Sequence, residues 1–480
     1  LSPLAPGAAT PVAPPDRRET ARALAVLLGA VGLAYANAFD AAFQFDDYAV
    51  IVDNPAVHSL SAWWASMPGI RPLLKFSYSL NWALAPQAGA FHAVNIGLHA
   101  LNALLLWALA RHWLAQLAPR RDVAFGALAC AALFAVHPAA TEAVTYASGR
   151  SIALCATCYL AALLADAHGR ARGRHLLSDL GAPLLFAAAL AVRETALTLP
   201  LALLLPAWCA TRRVQPDWRR CRGHLLVLAT AALAALATPG YQHFFAASLD
   251  ARALPQQLSG QLAAHAYLAT QPLLGRVGMI DPDLGATAVP SATTLLTALV
   301  LAGVLMLAWH ARGRRPWLAF GIFWYLLQLA PSNSLLPRLD LANDRHLYLA
   351  LPGPALIVAV LLADPRWRRA GSAALCALLL ALGLATVRRN TDYRSEITLW
   401  QANVAAAPGG ARGWTNLGYA WRRSGDLAAA RRAYRCALGA DPAYTQAVLN
   451  LAALTTPDAA LPTALAPAEC AAWAGGFDRP

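Results

Sequence analysis

The chain has 480 residues, 58% of them hydrophobic and 13% charged, with a formal net charge of +13. A soluble domain typically carries about 25% charged residues, so a mean hydropathy of +0.45 excludes an ordinary soluble enzyme and predicts an all-α, polytopic membrane protein. The positive charge is then the arginine excess of membrane loops rather than a nucleic-acid surface.

Residues 1–21 begin Pro- and Ala-rich and predict a disordered cytoplasmic N-terminus. The apolar run from Ala23 has basic flanks, but no cleavage signal stands out, so it reads as an uncleaved first span over 22–39. A few residues later come Phe45-Asp46-Asp47-Tyr48. Ionisable groups so close to a membrane segment are costly and are functional candidates by default. Asp46 or Asp47 is expected to act as a general base. On an extended segment the two side chains point apart, so one works while the other braces an arginine or binds a metal.

A transmembrane helix needs about 20 mostly apolar residues. The remaining candidate spans are 92–111, 123–141, 149–166, 176–192, 195–210, 223–241, 291–311, 316–331, 346–363 and 370–387, about eleven in all. Of the 38 basic residues, 20 fall in alternate loops, such as Arg111, Arg120 and Arg121, or Arg212, Arg213, Arg219, Arg220 and Arg222. The opposite loops up to residue 387 hold eight, including Arg71, Lys75 and Arg276. This alternation places the N-terminus in the cytoplasm and the C-terminal tail outside. Lys75 is the single lysine, an arginine bias that suggests a GC-rich bacterial genome and hence an inner membrane and a periplasm. The long outer loops 40–91 and 242–290 read as surface-lying helices.

Polar residues collect at the outer ends of the spans: His137 and Glu142, Arg150, Arg193 and Glu194, and Asn343-Asp344-Arg345-His346. Arginine grips phosphate oxygens in pairs, so Arg345, Arg150 and Arg193, with His346, are candidates for holding a donor phosphate. His137, Glu142, Glu194 and Asp344 are supporting residues, with the two glutamates expected to pair with Arg150 or Arg193. Asn95, His99 and Asn102 share one face of the second span and predict interhelical hydrogen bonds. Cys155 and Cys158 have the C-x-x-C spacing without a redox or metal context, whereas Cys436 and Cys470 can pair if the tail faces an oxidising compartment. No cofactor is certain; a divalent cation is compatible with the acid pair.

In the tail, Trp414, Leu417, Gly418, Trp421, Ala430, Tyr434, Ala437 and Pro442 match the tetratricopeptide template. Residues 388–455 are read as one repeat flanked by two halves, with Trp414, Trp421 and Tyr434 as acceptor- or partner-binding positions and 456–480 as a terminal tail. So small an array is expected to lean on the membrane part, residues 22–387.

Taken in order, Phe45-Asp46-Asp47-Tyr48, Asn54-Pro55, Arg71-Pro72-Leu73, Phe91-His92-x-x-Asn95, His137-Pro138-x-x-Thr141-Glu142, Gly149-Arg150-Ser151, Arg193-Glu194-Thr195 and Asp344-Arg345-His346-Leu347-Tyr348 form a series. With the repeats, they resemble the transmembrane-and-tetratricopeptide O-mannosyltransferases and their bacterial relatives, within the GT-C superfamily. The resemblance implies an inverting transferase that uses a polyprenyl-phosphate sugar, with Asp46 and Asp47 in the catalytic region. Its expected partners are that donor, membrane lipids and a protein or peptide acceptor, with no nucleic acid. Transfer to lipid A or a surface glycan, a non-catalytic assembly factor and a flippase are the alternatives.

Overall fold

The computed structural model describes residues 14–211, 217–274, 279–284, 291–338, 340–455 and 462–477. Residues 1–13, Arg212, Arg213, Arg276, and parts of the 242–290 loop and the 456–480 tail lie outside the described residues. All regular elements among the described residues are helical. The bundle comprises α1 (Arg17–Ala34), α2 (Leu60–Ala65), α3 (Pro72–Leu84), α4 (Ala88–Leu117), α5 (Val123–Ala135), α6 (Thr141–Val144), α7 (Arg150–Ala171), α8 (Ala182–Val192), α9 (Leu199–Ala210), α10 (Arg222–Ala237), α11 (Pro239–Asp250), α12 (Leu254–Leu274), α13 (Ala292–Ala311), α14 (Pro316–Leu329), α15 (Pro352–Leu362) and α16 (Arg368–Asp392). The tail adds α17 (Glu396–Ala406), α18 (Ala411–Ser424), α19 (Leu427–Ala440), α20 (Thr445–Ala452) and α21 (Pro467–Gly475).

Helix starts are written into the sequence as short polar caps. Asp16 accepts from Glu19 N–H, Asp122 from Phe125, Ser291 from Thr294, and Ser395 exchanges hydrogen bonds with Thr398. Each satisfies a donor that the first turn cannot. Asp16 thus starts α1 at Arg17, so residues 17–21 are helical rather than the expected disordered arm. After α5, Pro138 cannot continue the hydrogen-bond ladder, and the chain bends by 56° into residues 138–144.

Each of the eleven apolar stretches contains helix, but they are not eleven full-length crossings. Among the described residues, six helical runs are long and apolar enough to cross a membrane, or seven if the bent 123–144 pair is one span. Leu177–Val192, Glu194–Ala210, Pro316–Leu329 and Pro352–Leu362 are shorter. With 11 residues, α15 rises about 16 Å, against a hydrocarbon core of about 30 Å. The difference arises because the polar ends of these stretches leave the helix: 194–198 and 344–347 form 3₁₀ turns that line the site. The apolar windows of α10 and α13 are each only 11% buried, so their sides face outward, as lipid-facing helices do. The chain is a multi-pass membrane protein.

The buried face of α4 behaves as expected. Asn95 donates to Tyr146 O and Ala147 O, His99 bridges Tyr348 Oη and Ala135 O, and Asn102 donates to Ala153 O and Tyr348 Oη. At the other end of α4, the turns 116–121, 313–317 and 364–366 surround a cavity of about 720 Å³ and gather Arg120, Arg121, Arg314 and Arg366.

The tail has a buried core distinct from that of the bundle, and a few residues from the bundle side complete it. Trp400, Trp414, Leu417 and Tyr434 share one buried cluster with Ala41, Tyr146 and Ile280 of the bundle. The boundary expected after residue 387 falls inside α16. Trp414 and Tyr434 are fully buried and Trp421 is partly buried. Trp414 and Tyr434 hold helices together instead of presenting a binding surface, which corrects their expected role. Gly418 permits this packing, because a Cβ there would meet the Tyr434 ring at 2.5–3.0 Å. A disulfide joins Cys436 to Cys470 and pins α21 to α19, while Cys155 and Cys158 stay free.

Candidate active site

The acid loop begins where the first helix runs out. Residues 41–44 carry no regular structure and Phe45 has φ 44°, a left-handed conformation that costs a non-glycine residue about 1–2 kcal/mol. That turn sends Asp46 and Asp47 into a helical turn continued by Tyr48–Val52, not into the extended segment expected. The two carboxylates still diverge. Asp47 is fully buried, and its oxygens accept the N–H groups of Gln44 (3.0 Å) and Ser148 (2.7 Å). It therefore braces backbone, not an arginine. The Asp46 side chain is 42% exposed, and its carboxylate faces Arg345 Nη1 at 3.8 Å. Its own backbone N–H donates to Tyr146 Oη at 2.8 Å.

The two acids titrate differently for physical reasons. Burial pushes the Asp47 carboxyl up to about 7, and the Gln44 and Ser148 amides hold it from rising further. Burial also raises Asp46 above the usual carboxylate range, while Arg345 pulls it back.

Arg345 is the hub. Its backbone N–H donates to Glu142 Oε2 (3.0 Å) and its Nε faces Glu142 Oε1 (3.6 Å). Its Nη2 lies 3.5 Å from Asp340 Oδ2. The other Asp340 oxygen takes Arg412 Nη1 from the tail at 2.5 Å, and Arg412 also faces Asp281 at 3.7 Å. Gly149 allows the α6 turn that carries Glu142 to lie against the start of α7, since a side chain there would run into Glu142 O.

Behind Arg345 is a cavity of about 30 Å³ lined by Arg193, Thr195, Gln328, Ser332, Arg345 and His346, among others. That is room for one or two waters. Arg193 is buried and donates to Ser151 Oγ at 2.9 Å. Arg338 adds a further cation, donating to Ser332 Oγ at 3.2 Å. His346 Nδ1 meets Asn333 Oδ1 at 2.9 Å, and Asn333 Nδ2 is committed to Gln261 and Leu341 O. The histidine proton therefore sits on Nδ1, and the neutral ring offers Nε2 as an acceptor; donating from Nε2 requires a second proton.

Other expected roles change. Arg150 is fully buried and donates to Asn95 Oδ1 (2.9 Å), Ser77 O (3.1 Å), Asn81 Oδ1 (2.6 Å) and Phe91 O (3.2 Å). It also lies over the Phe91 ring at 4.8 Å. With its fork so occupied it ties α3, α4 and α7 together and does not face a donor phosphate. Glu194 pairs with Arg71 (2.8–3.2 Å) and Glu142 with Arg345, so neither takes Arg150 or Arg193 as expected. His137 Nδ1 caps the 138–140 turn by accepting Ala139 N–H. Asp344 accepts from Tyr267 Oη at 2.9 Å and is pushed up to about 6 by burial.

The sequence reading gave no role to Tyr146, Asp340, Arg338, Arg412 or Arg71. Arg71 stands in one of the tracts carrying the family resemblance; the others have no motif to mark them. Among the described residues no three His, Cys, Asp or Glu side chains converge to hold a metal ion.

Several known proteins are similar to this chain. The protein O-mannosyl-transferase F38B6.6 of Caenorhabditis elegans is 24% identical over 90% of the chain and 64% of its own length. The protein O-mannosyl-transferase Tmtc3 of Drosophila melanogaster is 26% identical over 82% of the chain and 52% of its own length. The Drosophila protein O-mannosyl-transferase Tmtc1 is 35% identical over 39% of the chain and 23% of its own length. The chain thus spans between about a quarter and two thirds of the length of these relatives. No family model and no solved structure matches it.

Proposed function

We propose that this chain is a GT-C glycosyltransferase that moves a single mannose-like hexose from a polyprenyl-phosphate donor to a Ser or Thr hydroxyl of a protein, with inversion. The observation that carries the reading is the Asp46 carboxylate, partly open and facing Arg345, whose far side lines a cavity with Arg193. An acceptor hydroxyl has far too high a pKa to ionise alone and needs a carboxylate about 3 Å away. Asp46 takes that proton as the hydroxyl oxygen attacks the anomeric carbon. The bond from that carbon to the phosphate oxygen breaks on the opposite face, and the polyprenyl phosphate leaves with the electron pair. Arg345, Arg193 and Arg338 stabilise the charge that grows on it. The 30 Å³ cavity must widen to admit the phosphate.

The names of the relatives support protein as the acceptor, since all three are called protein O-mannosyl-transferases. The arginine alternation and the gathering of Arg120, Arg121, Arg314 and Arg366 at one end support a cytoplasmic N-terminus, with the site and tail on the periplasmic side of a bacterial inner membrane. The Cys436–Cys470 bridge supports an oxidising compartment for the tail. The helices α17–α20 are read as tetratricopeptide-like.

The test supplies the purified protein in detergent with radiolabelled polyprenyl-phosphate mannose and a Ser/Thr-rich peptide. Labelled peptide whose new linkage is inverted, and its absence with Asp46→Asn, are expected. Label passing to lipid A instead of peptide would replace the acceptor, and no transfer at all by the wild type would sink the enzyme reading.

A further inference from the structure

Asp340 is held by two guanidinium groups from distant parts of the chain, Arg345 before α15 and Arg412 on the first turn of α18. Arg412 reaches it at the shorter distance, 2.5 Å against 3.5 Å. The tail that carries Arg412 is clamped to the acid loop and to the 279–284 segment. Asn403 exchanges hydrogen bonds with the backbone of Asp281 (3.0 and 3.2 Å), and Phe45 packs edge-on against Trp400 at 5.2 Å. The Arg412 guanidinium itself lies 5.7 Å from the centre of the Phe45 ring, one residue from Asp46.

We propose that Arg412 is a positioning residue of the transfer site, which by occupying Asp340 leaves Arg345 directed at Asp46, so that the tail completes the electrostatics of the base. This rests on the reading of Asp46 as that base. Opposite charges a few ångströms apart compete for partners. Without Arg412, Arg345 is the cation already paired with Asp340, with Arg338 and Arg252 also acting on it, and the stronger pull on Arg345 turns it away from Asp46. Asp46 then loses the charge that favours its ionised form, and a higher pH is needed to make it a base. The groups acting on Asp46 are Arg345 and Asp340 before α15, Arg412 from the tail, Asp47 on its own loop and Tyr146 from the α6–α7 turn, while Glu142 and Asp281 act one step out, through Arg345 and Arg412. The positive charges of Arg345 and Arg412 both favour the ionised form of Asp46, and the negative charge of Asp340 opposes them.

The alternative is that Arg412 only docks the tail. The two differ in the pH profile of mannosyl transfer, measured with radiolabelled polyprenyl-phosphate mannose and a Ser/Thr-rich peptide. With Arg412→Gln, the acid limb of kcat/KM should move up by about one pH unit, roughly a ten-fold loss on the limb, with recovery at alkaline pH. Arg412→Lys should restore most of it. Asp340→Asn should move the limb the other way, and Asp340→Asn with Arg412→Gln should return it to near the wild-type position, which also shows that the tail still docks. A loss equal at every pH, or a double variant no better than Arg412→Gln, overturns the proposal and leaves docking alone. An inactive wild type would instead remove the transfer reading, and this one with it.

Discussion

Asp47 accepts the backbone N–H of Ser148 at 2.7 Å across 101 residues of chain, and that bond fastens the acid loop to the start of α7. Both Asp47 oxygens are occupied by backbone amides while Asp46 stays partly open. Asp46→Asn should therefore cut turnover by about 10²- to 10⁴-fold with the protein folded and its donor KM little changed. Asp47→Asn keeps one amide acceptor and should retain part of the activity. Kinetics on the two single variants checks the division of labour; equal losses with both would reject it.

The raised Asp47 carboxyl makes a signed prediction about stability. Its native value of about 7 lies above the ordinary value of about 3.9 for an unfolded aspartate. Between those values the native state keeps a proton that the unfolded state has released, so stability falls as pH rises through that window. Thermal-shift midpoints in detergent should drop from pH 5 to pH 8 in the wild type, and drop less in Asp47→Asn.

Glu142 is buried and its charge partner is Arg345. Arg345→Ala strands that carboxylate, at a cost of about 3–5 kcal/mol for a broken buried pair. Adding Glu142→Gln should recover much of the stability but not the transfer. A double variant that also regains wild-type activity would show that Arg345 has no part in holding the donor.

Arg150 makes four hydrogen bonds from a fully buried position. Arg150→Ala should lose about 3–5 kcal/mol, by the same argument of unpaired buried polar groups. Whatever fraction still folds should bind donor with an unchanged KM. Poor yield with normal KM is the expected result in a fluorescence-detected expression assay followed by kinetics.

At Gly418, an added methyl would press on the Tyr434 ring at 2.5–3.0 Å. Gly418→Ala should destabilise the α18–α19 pair by about 1–3 kcal/mol. Limited proteolysis should then release the tail at lower temperature, with the bundle unaffected.

The sequence made visible what composition and period control. The apolar stretches and the α4 hydrogen-bonding face at Asn95, His99 and Asn102 were legible as patterns. Span lengths were not, because the sequence does not tell whether polar residues at the end of an apolar stretch, such as 344–347, continue its helix or leave it as a 3₁₀ turn. The role of Arg150 was equally hidden, as an arginine opening a span reads alike whether it meets phosphate or Asn81. Arg412 and Asp340 are 72 residues apart and carry no motif, so only the folded chain brings them together.

The charge network draws Asp46, Glu142, Asp340, Arg345 and Arg412 from almost the full length of the polypeptide. During biosynthesis, a ribosome-bound intermediate that has threaded every helix up to α16 still lacks its last member. The constellation is finished only once α18 has been made and has settled on the bundle. A nascent chain is thereby kept incomplete until its tail has docked.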